Sequence, residues 1–243
     1  MIISIEGGDA QNAENFKEKQ MKYERVKNAF REKEKTVNEM LAAKNLSAVR
    51  LEIFVRIFKT EKKVEVWGKN REDSVFIPLT DYDICTSSGS VGPKRKQGDG
   101  QVPEGFYHIE RFNPVSNFHL SLGINYPDKS DRILGGGGNL GGDIFIHGNC
   151  VSIGCIPITD DKIKELYILA VESRNNGQEK IPVHIFPCRM DGSEFEGLKK
   201  EYATYNKLLE FWQNVKEGWD YFENGKKVPI VSVDGSGKYK FRP

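Results

Sequence analysis

The sequence predicts an α+β fold in which a mainly β region lies between helices at the two ends of the chain. Residues 15–45 contain neither proline nor glycine, and their apolar side chains recur at roughly helical spacing. Residues 49–58 alternate two sets of side chains, which is typical of a strand with two different faces. Residues 197–224 repeat leucine, tyrosine, tryptophan and valine every three or four positions, which indicates a second helical segment.

The elements between the two helical segments follow in chain order. Residues 49–58 and 64–68 form a predicted hairpin, and residues 75–85 form a third strand that Pro78 interrupts. Thr159 is the predicted N-cap of a helix that ends at Asn175-Asn176-Gly177. Further predicted strands are 106–109, 118–124, 144–146 and 181–186, and the tail 228–241 is expected to add one short strand.

Length and charge exclude some classes of protein. The chain has 243 residues, enough for one large domain, and its net charge of +1 gives no reason to expect nucleic acid as a partner. No apolar run approaches the ~18 residues of a membrane helix, so we predict no transmembrane segment. Residues 1–5 are too short for an export signal and lack its basic start, so no signal peptide is visible.

One short stretch carries the side chains best suited to chemistry. His147 follows the apolar run 144–146 and is predicted at the end of a strand, which Gly148 then breaks. Ser152 and Gly154 precede Cys155 in a predicted turn. A cysteine needs a partner to become a nucleophile, because the thiolate is the reactive form. The spacing therefore predicts that His147 faces Cys155.

These residues carry a family resemblance. His147-Gly148 followed by Ser152-Ile153-Gly154-Cys155 resembles the HG…SxGC signature of the YkuD-type L,D-transpeptidase catalytic domain. The short gap between histidine and cysteine is similar to the YafK-like branch of that family. Residues 98–107 and 113–127 resemble two further family segments, in the expected order. The resemblance covers roughly residues 50–187.

The resemblance implies the domain organisation and the setting of the protein. It implies a mainly β YkuD-like catalytic domain over residues 49–190. The apolar spacing described above adds an N-terminal helical segment over 1–48, expected to pack on that domain, and a C-terminal helical extension over 191–243. The resemblance implies peptidoglycan stem peptides as partners and a periplasmic or cell-envelope location. It implies no metal and no organic cofactor. The oligomeric state stays open.

The resemblance also implies a mechanism of acyl transfer. Cys155 is the expected nucleophile and His147 the expected base. The imidazole would be oriented by Ser152 or by the backbone carbonyl of Gly148. The backbone N–H groups of Gly154 and Cys155 are the expected oxyanion donors.

Four further residues are candidates for substrate binding. Lys94 belongs to a basic loop tip, Lys94-Arg95-Lys96, whose cations would attract stem-peptide carboxylates. His119 lies on the polar face of the predicted strand 118–124, where a structural hydrogen bond is an equally good interpretation. Tyr126 lies in a segment that resembles the family, and Arg132 would bind a carboxylate or pair with a neighbouring aspartate.

The four cysteines are expected to be free thiols; the alternative is a disulfide between Cys150 and Cys155, which are close in sequence, and it would silence the nucleophile. Cys85 and Cys188 would be buried small hydrophobic residues, and Cys150 a buried neighbour of the nucleophile. A zinc site built from His147, Cys150 and Cys155 is a competing hypothesis, but these residues lack the paired spacing of structural zinc sites. A papain-like protease is disfavoured, because there the cysteine precedes the histidine.

One departure from the family pattern concerns the residue two positions after the cysteine. Many family members have an arginine there, and this chain has Pro157. The missing cation leaves two catalytic outcomes open: a transferase, and a hydrolytic L,D-carboxypeptidase or amidase of the same fold. A catalytically silent cell-wall-binding module is the non-enzymatic alternative, and it would lack a reactive thiol.

Overall fold

An eight-stranded mixed sheet forms the centre of the protein. The computed structural model describes residues 14–243. The strands are β1 Leu51–Phe58, β2 Lys63–Asn70, β3 Ile77–Asp83, β4 Gly105–Asn113, β5 Ser121–Ile124, β6 Phe145–His147, β7 Ile156–Pro157, β8 Ile181–Phe186, β9 Ile230–Val233 and β10 Tyr239–Arg242. The helices are α1 Phe16–Met21, α2 Glu24–Ala42, α3 Lys129–Leu134, α4 Thr159–Asn175, α5 Ser193–Glu201 and α6 Asn206–Gly225.

The sheet has the order β3-β2-β1-β8-β4-β5-β6-β7, while β9 and β10 form a separate hairpin. The pairs β1–β8 and β6–β7 are parallel, and the other neighbours are antiparallel. Pro78 lies within β3 and does not end the strand, but the register with β2 shifts between Pro78 and Thr80, so the predicted interruption is a local irregularity of the pairing. This strand is at the edge of the sheet, where a residue that cannot donate a hydrogen bond is tolerated.

Both faces of the sheet are covered by helices, which confirms the α+β class. Ile53, Val55 and Ile57 of β1 belong to a core that includes the buried side of α4. Phe58 belongs to a second core together with residues of α5, α6 and β10. Burying a large apolar side chain contributes about 1.5–3 kcal/mol. The central strand is therefore stabilised from two sides.

The N-terminal helical segment is a helix pair, α1 and α2, that packs on α4. Val26, Phe30 and Leu41 on α2 are buried in the first core. Lys33 adds an ion pair to Asp161 at 2.6 Å. The division of the chain at residues 48 and 190 stays a prediction, and residues 1–13, including the segment that we tested for an export signal, lie outside the described residues. None of the helices in residues 14–243 is long and apolar enough to cross a membrane.

Two local predictions are wrong, one for the cap of α4 and one for the C-terminal tail. Thr159 does not cap α4, because its backbone has φ 73° and no side-chain hydrogen bond caps this helix. The predicted C-terminal helical segment consists of two helices, α5 and α6, separated at residues 202–205. The tail forms a two-stranded hairpin, because Asp234 accepts hydrogen bonds from the backbone of Ser236 and Lys238 and so closes a tight turn.

Candidate active site

His147 is the last residue of β6. Its backbone lies between Ser121 of β5 and Pro157 of β7, and the residue is only 1% exposed. The Nδ1 atom is 2.5 Å from the carbonyl oxygen of Gly148. Because a carbonyl can only accept a hydrogen bond, Nδ1 carries the proton in this contact. The other ring nitrogen, Nε2, therefore has the lone pair that can accept a proton.

The ring of Phe118 packs on this imidazole, with the two ring centres 4.7 Å apart. The turn that contains Phe118 is held by Arg25 of α2, whose guanidinium donates to the carbonyl oxygens of Ser116 and His119. We had predicted Phe118 inside a strand, but the left-handed backbone of His119, with φ 68°, breaks that strand. An N-terminal helix thus fixes the residue that covers His147.

Cys155 immediately precedes β7, in the loop between the parallel strands β6 and β7. Gly154 before it has φ 103°, a conformation that favours glycine. The Sγ atom of Cys155 lies 3.5 Å from the carbonyl oxygen of Asp143. The side chain is a free thiol and lines a cavity of about 200 Å³. A small molecule in this cavity lies beside Cys155.

The structure brings His147 and Cys155 to neighbouring strands without the direct contact that we expected. Within residues 14–243, no hydrogen bond joins the thiol to the imidazole. The thiol contacts Asp143, and the imidazole contacts Gly148. In enzymes without substrate, catalytic hydrogen bonds are often long and shorten only when the substrate binds.

Ser152 does not contact the imidazole. Its hydroxyl donates to the carbonyl oxygen of Cys155 at 2.8 Å. Of the two groups that we considered as partners of His147, only the Gly148 carbonyl makes the contact. The serine instead closes the loop that carries the cysteine.

Ser88 is a site residue that sequence analysis missed. Its hydroxyl oxygen accepts the backbone N–H of Gly154 at 2.7 Å and donates to the Gly100 carbonyl at 2.8 Å. One of the two expected oxyanion donors is therefore occupied. The N–H of Cys155, by contrast, has no acceptor among the residues that the structure describes. Nothing in the sequence distinguishes Ser88 from the other serines of its loop.

Two of the predicted substrate-binding residues are used inside the protein. Lys94 is 5% exposed, and its ammonium binds Asp99 at 2.5 Å. Asp99 also accepts the backbone N–H groups of Arg95 and Lys96, so the predicted basic tip is folded onto this carboxylate. Tyr126 is 5% exposed, and its hydroxyl is 3.2 Å from the Lys94 carbonyl. Neither side chain is an exposed substrate contact.

The other two candidates lie in different places. His119 is half-buried, and its Nε2 atom has no hydrogen-bond partner among residues 14–243. Burial lowers the pKa of His119, so the ring is neutral at pH 7. Arg132 is exposed on α3, whose residues Lys129 and Ser130 bind the C-terminal hairpin and its turn. It pairs with neither of its neighbouring aspartates, and a substrate role for His119 and Arg132 stays a prediction.

Cys85 and Cys150 form a disulfide, with their Cα atoms 5.7 Å apart. This corrects the prediction that both are buried free thiols, since both residues are exposed. The bridge joins the segment after β3 to the loop between His147 and Cys155. Two cysteines 65 residues apart give no pairing signal in a sequence, because pairing requires that their backbones meet in space. Cys188 is buried, as predicted.

Reducing this disulfide should destabilise the protein. A bridge that closes a loop of this length contributes about 4 kcal/mol, which corresponds to roughly 10 °C in melting temperature for a chain of this size. We expect a reductant to lower the melting temperature of the wild-type chain by about that amount. The double variant Cys85→Ser/Cys150→Ser should melt at the lower temperature with or without reductant. Equal melting temperatures for the oxidised and reduced wild-type chain would contradict the assignment.

The two candidate catalytic groups are both neutral at pH 7. Burial lowers the pKa of the His147 imidazole, and the hydrogen bond to Gly148 opposes this only in part. Burial also raises the pKa of the Cys155 thiol, although the backbone of Phe145 and the charge of Lys94 lower it. The resting site therefore holds an imidazole and a thiol, not an ion pair. Such a pair suits a base that removes the thiol proton during attack.

The competing zinc hypothesis does not fit this site. Cys150 is in the disulfide and cannot supply a thiolate ligand. Over the described range 14–243, no group of three or more histidine, cysteine, aspartate or glutamate residues is arranged to hold a metal ion.

The sheet, the histidine at the end of β6 and the cysteine before β7 agree with a known family. The chain belongs to the YkuD family, the L,D-transpeptidase catalytic domain, whose model matches residues 52–185. The match runs from β1 to β8 and includes both His147 and Cys155.

A curated relative extends beyond that range. Over 189 residues the chain is 36% identical to "Putative L,D-transpeptidase YafK" of Escherichia coli (strain K12), and the match covers 77% of this chain and 72% of the relative. Among solved structures, the chain is similar to the helical cell shape determining protein Pgp2 from Campylobacter jejuni, with 18% identity and a TM-score of 0.45. That match covers 76% of this chain and 73% of Pgp2. It is also similar to Bd1075 of Bdellovibrio bacteriovorus, with 21% identity, a TM-score of 0.39, and coverage of 70% and 59%.

Proposed function

We propose that the protein is a cysteine acyltransferase, an L,D-transpeptidase that acts on peptidoglycan stem peptides through a thioester on Cys155. The observation that carries the proposal is the free thiol of Cys155 on a cavity wall, one strand away from a histidine whose Nε2 can accept a proton. Membership of the L,D-transpeptidase catalytic domain family supports this chemistry and this class of substrate.

The reaction has two steps. Cys155 Sγ attacks the carbonyl carbon of the diamino acid at position three of the stem, and its proton passes to Nε2 of His147. The bond to the terminal D-Ala breaks, and His147 returns the proton to the leaving amine. An acceptor amine then attacks the thioester and loses a proton to His147. The C–S bond breaks, and His147 passes this proton to the departing sulfur, which regenerates the thiol. Gly148 holds the imidazole so that Nε2 is the accepting nitrogen throughout.

The negative charge on the substrate oxygen needs a donor in both steps. The backbone N–H of Cys155 is the available one, whereas the Gly154 N–H donates to Ser88. We expect the Gly154 amide to contribute only when the substrate displaces the Ser88 hydroxyl. Ser152, through its hydrogen bond to the Cys155 carbonyl, would keep the cysteine backbone oriented.

Water in place of the acceptor amine would convert the same thioester into a hydrolytic product. The test is mass spectrometry of disaccharide tetrapeptides incubated with the protein. A transpeptidase yields cross-linked dimers and free D-Ala, and an L,D-carboxypeptidase yields tripeptides and free D-Ala. Unchanged tetrapeptides, with the chain folded and its thiol free, would contradict the proposal and favour a wall-binding module.

The disulfide supports a location in the cell envelope. Disulfides persist in oxidising compartments such as the bacterial periplasm and are rare in the cytosol. Cys85–Cys150 is therefore in keeping with a protein that meets peptidoglycan outside the cytoplasmic membrane.

The neutral resting pair predicts a broad pH profile. Because burial holds the pKa of His147 below its ordinary 6.5, the free base persists as the pH falls, and activity should decline only below pH 6.5. Because burial holds the pKa of Cys155 above its ordinary 9.0, the thiol stays protonated up to about pH 9, so attack depends on His147 as the base over this whole range. The measurement is kcat/KM against pH on a tetrapeptide substrate. An acid limb centred above pH 7 would contradict the neutral pair.

A further inference from the structure

The cavity beside Cys155 has an apolar floor and a polar rim. Ile57, Ile84, Val102 and Ile156 supply aliphatic surface, and residues 87–91 form one wall. The volume of about 200 Å³ is somewhat larger than the roughly 150 Å³ of a cavity that holds benzene. The space therefore suits a group of the size of one small amino acid.

Two lysines line this cavity, and they differ in what their ammonium groups contact. Lys59 donates to the carbonyl oxygens of Gly92 and Val102, both at 2.8 Å, and lies 3.1 Å from a carboxylate oxygen of Glu104. The three N–H protons and the positive charge of the Lys59 ammonium are therefore already bound by groups of the protein. Lys62 is exposed, and within residues 14–243 its ammonium makes no hydrogen bond and no ion pair. Lys62 is the cavity cation that is available to a ligand.

The backbone holds Lys62 at the rim. The residue lies in the turn between β1 and β2 with φ 52°. Its N–H donates to the carbonyl of Lys59, and its own carbonyl accepts the N–H of Ile84 at 2.8 Å. The turn is therefore tied to the floor of the cavity.

Within the described part of the chain, no acidic residue lines the cavity, and the buried carboxylate behind it, Glu104, is paired with Lys59. Glu61, which directly precedes Lys62, accepts the backbone N–H of Arg189 at 2.8 Å.

On the adjacent strand, β3, Asp81 and Asp83 both bind Lys63 at 2.8 Å. Lys63 follows Lys62 directly but is not part of the cavity wall. Lys62 and Lys63 are therefore a matched pair of residues for mutagenesis. Lys62 lines the cavity, and the ammonium of Lys63 is held in ion pairs with Asp81 and Asp83.

We propose that Lys62 binds a carboxylate of the acyl donor in this cavity. The ligand class is a short aliphatic group that ends in a carboxylate, such as the terminal D-Ala of a stem peptide, with its methyl group on the aliphatic floor. The identification of the ligand rests on the proposed function. The affinity of the cavity for a carboxylate next to Cys155 does not rest on the proposed function.

The test compares two thiol reagents of similar shape and different charge, 3-maleimidopropionic acid and N-ethylmaleimide. Both alkylate a thiol in the same way, and only the first carries a carboxylate. Cys85 and Cys150 are oxidised and Cys188 is fully buried, so Cys155 is the thiol that reacts in the folded chain. The observable is the ratio of the two alkylation rates, measured by intact mass without reductant.

Lys62→Ala should lower the ratio of acid to neutral alkylation by about two- to fivefold at low ionic strength, and salt should reduce the difference. Lys62→Arg should keep the ratio, and Lys63→Ala should leave it at the wild-type value. An unchanged ratio in Lys62→Ala would overturn the proposal. An equal loss in Lys63→Ala would also overturn it, since it would indicate a general effect of surface charge.

A second measurement connects the site to the substrate. Lys62→Ala should raise KM for a tetrapeptide with a free terminal carboxylate by about two- to fivefold, and should have no such effect for the same peptide with a terminal amide. If the chain turns over no stem peptide at all, the proposed function fails, while the alkylation ratio still tests Lys62. If the chain is active and both substrates respond alike to Lys62→Ala, only the assignment of Lys62 fails.

Discussion

Cys155→Ala should reduce turnover of a stem tetrapeptide to background, by about 10⁴-fold or more. Without the sulfur no thioester forms, and the remaining groups offer only binding and oxyanion donors, which cannot replace a nucleophile. The fold should survive, because the side chain makes one weak contact, to the Asp143 carbonyl. The measurement is release of free D-Ala, with the melting temperature as a check on folding.

The matched control is Cys188→Ala, which removes the other free thiol. Cys188 is fully buried in the second core and does not line the cavity. We expect a loss of about 1 kcal/mol in stability and near-wild-type turnover. Residual turnover of Cys155→Ala above one per cent of wild type would show that this thiol is not the nucleophile.

His147→Ala should slow turnover by about 10²- to 10⁴-fold, the usual contribution of a general base. The effect should be large here because burial keeps Cys155 protonated, so attack requires a group that removes the proton. Raising the pH should restore part of the rate in the variant, since hydroxide then deprotonates the thiol. The measurement is kcat/KM from pH 6 to 10.

The control for His147 is His108→Ala. His108 is a half-buried histidine of β4. It does not line the cavity and makes no hydrogen bond to Gly148. This variant should keep the wild-type profile. If His147→Ala lost less than tenfold at pH 7, the base would have to be another residue.

Local periodicity in the sequence predicted the strands and helices that bury one face against a single neighbouring element. The predicted strand 181–186 coincides with β8, and the helix predicted to end at residues 175–177 is α4, which ends at Asn175. Such local patterns could not predict the pairing of strands that are far apart in the sequence. Nothing in β1 indicates its parallel partner β8, and α6 covers the face of β1 that holds Phe54 and Arg56.

The candidate site was likewise predictable only where its residues are close together in the sequence. The compact segment 147–155 predicted a histidine at the end of a strand and a cysteine in the turn that follows, and its flanking residues predicted the family. The contacts from loop 87–105 were not predictable, because they form only when that loop packs on the segment. They include the hydrogen bond of Ser88 to Gly154 and the burial of Lys94 on Asp99. Cys85 could not be predicted as the disulfide partner of Cys150 for the same reason, because the two segments meet only in the folded chain.

Acylation by a carbapenem is the most direct test of the claim that Cys155 is a nucleophile. The strained β-lactam carbonyl needs only the thiolate and the oxyanion donors, so the test is independent of stem recognition. We expect the intact mass to increase by one drug molecule, the adduct to map by digestion to the peptide that contains Cys155, and His147→Ala to slow its formation. An adduct that persists in Cys155→Ala, or one that forms equally fast in His147→Ala, would contradict the account.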